Sequence, residues 1–263
     1  MHSSIRLCCG TLALLISLVL AACATQKNTL LPLTECDHPS KWCNEIRQTA
    51  AAAYVYAQLS ANSYGVDDFK LPESLVLVEK LDNDSIDFAA SIYERRTDGK
   101  VEEIIVAFRG TEGFFDWIFG NILGLQNGRG VDLVKRIRTT RAGTPITVTG
   151  HSLGGGIATQ VSLDVDGVNS YVFNTSPRFY SGQRATNTRH SIVEYGEVNK
   201  LLRLLGREAT QTYTTINCTG GSPIRQHKQA RLATCLTKIA AFEVESARVS
   251  ARENGIPLDP SLH

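Results

Sequence analysis

The sequence predicts an α/β fold: a central sheet flanked by helices, with antiparallel strands at its N-terminal edge. Three observations carry this. Four β-favouring residues, 146–149, run into Gly150-His151-Ser152-Leu153-Gly154, and a helical Ile157-Ala158-Thr159-Gln160-Val161 follows, so a sharp turn joins a strand to a helix. Short strand-like runs at 75–81, 87–94 and 103–108 are separated by the turn-type stretches Asp82-Asn83-Asp84 and Thr97-Asp98-Gly99-Lys100, which is the pattern of hairpins at a sheet edge. Further strands read at 167–174 and 191–195, downstream of the turn, and a helical stretch over 229–249 closes the pattern.

Taken in order, the chain opens with residues that do not belong to this fold. Arg6 supplies a positive n-region, and residues 7–20 form an apolar run interrupted only by Gly10, Thr11 and Ser17. The run falls short of the roughly twenty residues that a membrane-spanning helix requires, so it reads as a secretory signal peptide. Leu20-Ala21-Ala22-Cys23 resembles the lipobox of bacterial lipoproteins. That resemblance implies removal of residues 1–22, a lipid-modified Cys23 as membrane anchor, and a tether over 23–34 ahead of a domain at 35–263. Ala24, standing where an aspartate would favour inner-membrane retention, points to the outer membrane, with the protein facing the periplasm of a bacterial envelope. An ordinary signal peptide cleaved near Ala22 or Ala24 is the alternative.

Removal of Arg6 with the signal leaves acidic and basic residues in balance, since the whole chain carries 27 Lys+Arg and 26 Asp+Glu. Nothing in that balance draws nucleic acid or a strongly anionic surface. Of seven cysteines, Cys8 and Cys9 leave with the signal and Cys23 carries lipid. Cys36, Cys43, Cys218 and Cys235 remain, an even number in an exported chain, which suggests two disulfides with three possible connectivities. The local pairs Cys36–Cys43 and Cys218–Cys235 are expected because the two clusters lie far apart in sequence. A metal site is the weaker alternative, since no His or Cys lies at finger-like spacing.

The first helix is expected over 44–63, where Ala51, Val55 and Leu59 make an apolar stripe. Ahead of Pro145 the only helix candidate is 132–138. At the strand-to-helix turn, a serine aimed out of so tight a bend requires room for strand and helix to pass closely, and Gly150 and Gly154 leave that room. The turn aims the N–H of Leu153 and the positive end of the following helix at one point, which marks Ser152 as a nucleophile and Leu153 as a donor to a developing oxyanion.

Ile105-Val106-Ala107-Phe108-Arg109-Gly110-Thr111, then Asp116-Trp117, then Thr149-Gly150-His151-Ser152-Leu153-Gly154-Gly155 resembles the class 3 (fungal-type) lipase family of α/β-hydrolases. The resemblance runs over roughly residues 100–240 and implies a mostly parallel central sheet. In that family the Ser or Thr after Arg-Gly lends its backbone N–H to the oxyanion hole, and Thr111 holds that position beside Leu153. Thr175-Ser176-Pro177-Arg178 is similar to the family's strand ending in Ser-Pro-Arg. The segment between the two main motifs is shorter than is usual in the family. Residues 113–125 are rich in large apolar side chains at the position of the lipase lid; they read equally as a lid or as core, and glycines at 113, 120, 124, 128 and 130 would permit movement.

The resemblance implies a triad in the order Ser, acid, His. Glu197, just past a strand end, matches the family's Gly-Asp position with Glu in place of Asp. Glu194 is the rival, although inside the strand it is placed to contact a neighbouring helix. Among the histidines, His151 flanks the nucleophile and reads as structural support, and His190 starts a strand at the edge opposite the chemistry. His227, just ahead of an apolar helix, remains as the base. The implied activity is hydrolysis of a lipid ester by a lipase or phospholipase, with Ser152, His227 and Glu197 forming an acyl-enzyme and with no metal or organic cofactor. A short-chain esterase or thioesterase, or a non-catalytic envelope lipoprotein that binds through the same fold, are the alternatives.

Overall fold

The computed structural model describes residues 36–65, 69–82, 88–110, 121–176, 187–199 and 211–262. The signal segment, Cys23 and the tether therefore lie outside the described residues, as do Thr111, residues 113–120 of the apolar segment, and Pro177-Arg178.

Helix α1 (Asn44–Asn62) precedes strands β1 (Leu75–Leu81), β2 (Ala90–Thr97) and β3 (Lys100–Phe108). Helix α2 (Asn121–Thr140), β4 (Ile146–His151), helix α3 (Leu153–Asp164), β5 (Val168–Phe173), β6 (Arg189–Glu194) and β7 (Thr212–Ile216) follow. The short α4 (Pro223–Gln226), then α5 (Gln229–Ala240) and α6 (Glu245–Glu253), complete the main elements. The strands form one seven-stranded sheet in sequence order. β1–β2 and β2–β3 pair antiparallel, and every pair from β3 to β7 is parallel. This is the expected α/β-hydrolase arrangement of a mostly parallel sheet with an antiparallel N-terminal edge.

Alternation along β3 shows how the sheet is filled. Ile104, Val106 and Phe108 enter the apolar layer under α2 and α3, whereas Ile105 and Ala107 enter the layer under α1, α5 and α6. α1 buries Ala50, Ala53, Ala57 and Ala61, small residues that let it lie close to α5, and Leu59 is fully buried beside them. The β2–β3 hairpin closes at Thr97↔Lys100 through Asp98 (φ 50°) and Gly99 (φ 78°), the two left-handed positions of a type I′ turn, as the Asp-Gly pair suggests.

Several boundaries differ from the sequence reading. β2 begins at Ala90 rather than at 87 and runs on to Thr97. The helix expected over 132–138 spans Asn121–Thr140, so Gly124, Gly128 and Gly130 lie inside a helix rather than in a connecting loop. Packing overrides propensity at Gly130, where a Cβ would come within 2.6 Å of Ile157 Cγ2 and 3.2 Å of Val161 Cγ2. The single helix read over 229–249 is two. The break at residues 241–244 is held by tertiary partners: Glu243 accepts from Arg47 Nε and from Gln48 Nε2 (2.9 Å), and Arg248 Nε donates to the Ala241 carbonyl (2.7 Å). β7 lies beyond the strands that the sequence pattern predicts; its Thr-rich run Thr212–Ile216 pairs with β6 and completes the sheet. The expected disulfides Cys36–Cys43 and Cys218–Cys235 are both formed.

Candidate active site

At the junction of β4 and α3, Ser152 has φ 55° and ψ −122°, a left-handed backbone that an L side chain adopts at a cost. The flanking glycines pay that cost in space. A Cβ on Gly154 would overlap the Phe108 carbonyl, lying 2.8 Å from its carbon, and one on Gly150 would lie 2.8 Å from the Gly155 nitrogen. The bend is clamped from β5: Ser152 N–H donates to the Phe173 carbonyl (3.1 Å), and Ser176 N–H donates to the Ser152 carbonyl (3.0 Å). Leu153 is the first residue of α3, so its N–H belongs to the first helical turn, where no intrahelical carbonyl stands opposite. Thr111, the other expected oxyanion donor, lies outside the described residues.

The remaining two expected residues converge on this serine. His227 follows α4, whose Ser222 N-cap accepts from the Arg225 N–H (3.4 Å) and whose Pro223 sits at the first helical position. Its Nε2 lies 3.1 Å from Ser152 Oγ, and its Nδ1 lies 2.7 Å from Glu197 Oε2. A carboxylate only accepts, so Nδ1–H donates to Glu197 and Nε2 is left to accept a hydrogen bond from the Ser152 hydroxyl. Glu197 comes from the turn after β6, its side chain fully enclosed, and its Oε2 also accepts the Asn199 N–H (2.9 Å).

Glu194, the rival acid, faces another way. Its Oε1 accepts the backbone N–H groups of Cys218 (2.9 Å) and Thr219 (2.8 Å), in the loop after β7, so its partner is that loop and not the neighbouring helix expected from sequence. Burial pushes its carboxyl up to about 7, against the pull of those two N–H groups and the Arg231 charge. His190 lies near the start of β6, at the far edge of the sheet, as expected. His151 is the structural support expected: its Nε2–H donates to the His227 carbonyl (2.6 Å), leaving Nδ1 to accept from the Tyr64 hydroxyl (2.9 Å).

The sequence profile of a phospholipase-like family, the Tle-like phospholipase domain, matches residues 47–193, more than half of the chain. The chain belongs to the Tle-like phospholipase domain family. It is accordingly a serine ester hydrolase of the lipase and phospholipase kind, as the resemblance to class 3 lipases implied. The matched region of this phospholipase-like domain holds Ser152 and ends just short of Glu194 and Glu197, with His227 further along the chain. No curated protein matches the sequence. Among solved structures the domain is similar to the Rhizomucor miehei lipase in its propeptide complex (TM-score 0.48, 18% identity, 73% of this chain and 81% of that one). It is similar also to the Lip2 lipase of Yarrowia lipolytica (TM-score 0.46, 15% identity, 60% and 74%) and to a triacylglycerol lipase of Penicillium expansum (TM-score 0.45, 14% identity, 63% and 80%). At those scores the fold assignment rests on the strand order and the bend at Ser152 described above.

Proposed function

We propose that this domain hydrolyses the acyl ester of a membrane phospholipid through a Ser152–His227–Glu197 triad. The observation that carries the reading is the unbroken line from Ser152 Oγ to His227 (3.1 Å) and from His227 to the enclosed Glu197 carboxylate (2.7 Å), at the carboxyl ends of parallel strands. Ser152 Oγ attacks the ester carbonyl while its proton passes to His227 Nε2. The C–O bond to the alcohol then breaks, and His227 returns the proton to the departing oxygen, leaving an acyl group on Ser152. Water, deprotonated by the same histidine, releases the acid and restores the serine. Glu197 holds the imidazole ring and stabilises its charged form, and the N–H of Leu153, joined by that of Thr111, receives the oxyanion. Family membership supports a phospholipid over a soluble ester. The lipobox-like Leu20-Ala21-Ala22-Cys23 supports anchoring through a lipidated Cys23 in a bacterial envelope, at the outer membrane and facing the periplasm, where such a substrate is at hand.

The test compares ester hydrolysis by the chain lacking residues 1–23 with that of Ser152→Ala, Glu197→Gln and His227→Ala, on phospholipid vesicles, triacylglycerol emulsion and a nitrophenyl ester series. Losses on the order of 10³-fold or more in kcat are expected for Ser152→Ala and His227→Ala. A wild type that cleaves only the short nitrophenyl esters would replace phospholipase with short-chain esterase. Retained turnover in Ser152→Ala would remove the triad altogether.

A further inference from the structure

All three triad residues are tied to one short piece of backbone, the exit of β5. The nucleophile is held there through Phe173 and Ser176, as described. Asn174, between them, is fully buried and carries φ 41°, left-handed backbone that asparagine tolerates better than other side chains. Every polar group it owns is engaged. Its N–H donates to the Ile192 carbonyl (3.0 Å), and its Oδ1 accepts the Glu194 N–H (2.8 Å), fixing the end of β6 from which Glu197 departs. Its carbonyl accepts Asn199 Nδ2 (3.4 Å), and the Asn199 N–H is the one that holds Glu197 Oε2. Its Nδ2 donates to the carbonyl of Gln226 (3.3 Å), the residue immediately before His227.

The acid and the base arrive on separate loops, from β6 and from α4, and the nucleophile on a third. Among the described residues, Asn174 hydrogen-bonds to both the acid-bearing and the base-bearing loops. We propose that Asn174 is a positioning residue for hydrolysis, one side chain that sets the acid loop and the histidine loop in register against the strand beside the nucleophile. It hydrogen-bonds to neither the serine hydroxyl nor the imidazole, so it acts through where it puts them. The Gln226 side chain reinforces the same assembly by donating to the Thr219 carbonyl (2.5 Å), and His151 Nε2–H donates to the His227 carbonyl. This inference rests on the triad reading given above.

Two substitutions separate positioning from folding. Asn174→Asp keeps size, left-handed tolerance and the acceptor for Glu194, but removes the Nδ2 donor and sets oxygen against the Gln226 carbonyl. Asn174→Gly keeps the backbone conformation and deletes the bridge. Both are made in the full chain, purified in detergent, with serines counted by stoichiometric reaction with an organophosphonate, and kcat is expressed per titrated serine on a nitrophenyl ester. The expected result is a KM within about twofold of wild type and a kcat per titrated serine lower by roughly tenfold to a hundredfold, the scale of an ångström-sized misplacement. An unchanged kcat per titrated serine in both variants, with losses confined to melting temperature or to the titratable fraction, would overturn the positioning role. Ser152→Ala run alongside keeps the two readings apart: if it still turns over substrate, the triad assignment fails, whereas a dead Ser152→Ala beside unimpaired Asn174 variants sinks only the inference about Asn174.

Discussion

Glu194→Gln is the substitution that most directly interrogates how the two glutamates divide their work. The Glu194 carboxyl is enclosed (1% exposed), and one oxygen, Oε2, has no hydrogen-bond partner among the described residues, while Oε1 takes the Cys218 and Thr219 N–H groups. Burial dominates and lifts its pKa from the usual 4.5 to about 7. The folded chain therefore retains a proton that the unfolded chain has released between those two values. Stability falls as pH rises across that window, and the loss is complete above about 7. At about 1.4 kcal/mol per pKa unit, the shift corresponds to about 3 kcal/mol. Glutamine keeps the Oε1 acceptor and cannot ionise. The stability difference between Glu194→Gln and wild type should therefore move by about 3 kcal/mol in favour of the variant between pH 4.5 and pH 8, read by urea unfolding with disulfides intact. Comparing two pH values cancels the cost of burying the amide, because an amide does not titrate and that cost is the same at both. A difference that stays flat with pH, or moves in favour of wild type, would refute the argument and mean that the carboxylate is ionised and held by its N–H donors and Arg231. In the same variants, Glu194→Gln should keep most of its ester hydrolysis while Glu197→Gln loses at least about tenfold in kcat, because only Glu197 reaches His227.

The remaining expectations concern the scaffold. Gly154→Ala places a methyl group against the Phe108 carbonyl, so it should destabilise the domain by more than about 3 kcal/mol in a urea melt or prevent soluble expression; a normal melt would show that the β3–β4 edge gives way more easily than its geometry implies. Replacing Cys218 and Cys235 by serine opens a link spanning 17 residues that encloses His227, and should cost about 3 kcal/mol by loop entropy, against about 2 kcal/mol for the 7-residue Cys36–Cys43 link. Equal losses in the two pairs, measured under the same conditions, would mean that loop length does not govern their contribution. His151→Phe fills the same ring space without either hydrogen bond; about a tenfold fall in kcat is expected, and an unchanged kcat would show that the His227 carbonyl needs no partner.

Much of this protein is legible in residues that act locally. The bend at Ser152 could be read because its steric demand falls on positions two before and two after it, and the β2–β3 hairpin because Asp98-Gly99 supplies its own left-handed turn. The local disulfide pairs followed from two widely separated cysteine clusters, and His227, with Glu197 favoured over its rival Glu194, from strand ends and order along the chain, helped by a family resemblance. What could not be read depended on partners distant in sequence. Glycines in α2 signal a hinge to a reader of sequence, yet Gly130 sits in a helix because Ile157 and Val161 come close to it. Residues 241–244 carry no proline or glycine to announce a break, and it is Arg47 and Gln48, nearly two hundred residues away, that hold Glu243 there. Asn174 gave no signal at all, since a lone asparagine after a strand is ordinary until the β6 and α4 loops close around it. By itself the sequence determined the strained serine, the alternation of elements and the chemical types available for acid and base. Only the tertiary structure decided which carboxylate meets the imidazole, because Glu194 and Glu197 are three residues apart and differ only in direction: one side chain turns to the backbone N–H groups after β7, the other to His227.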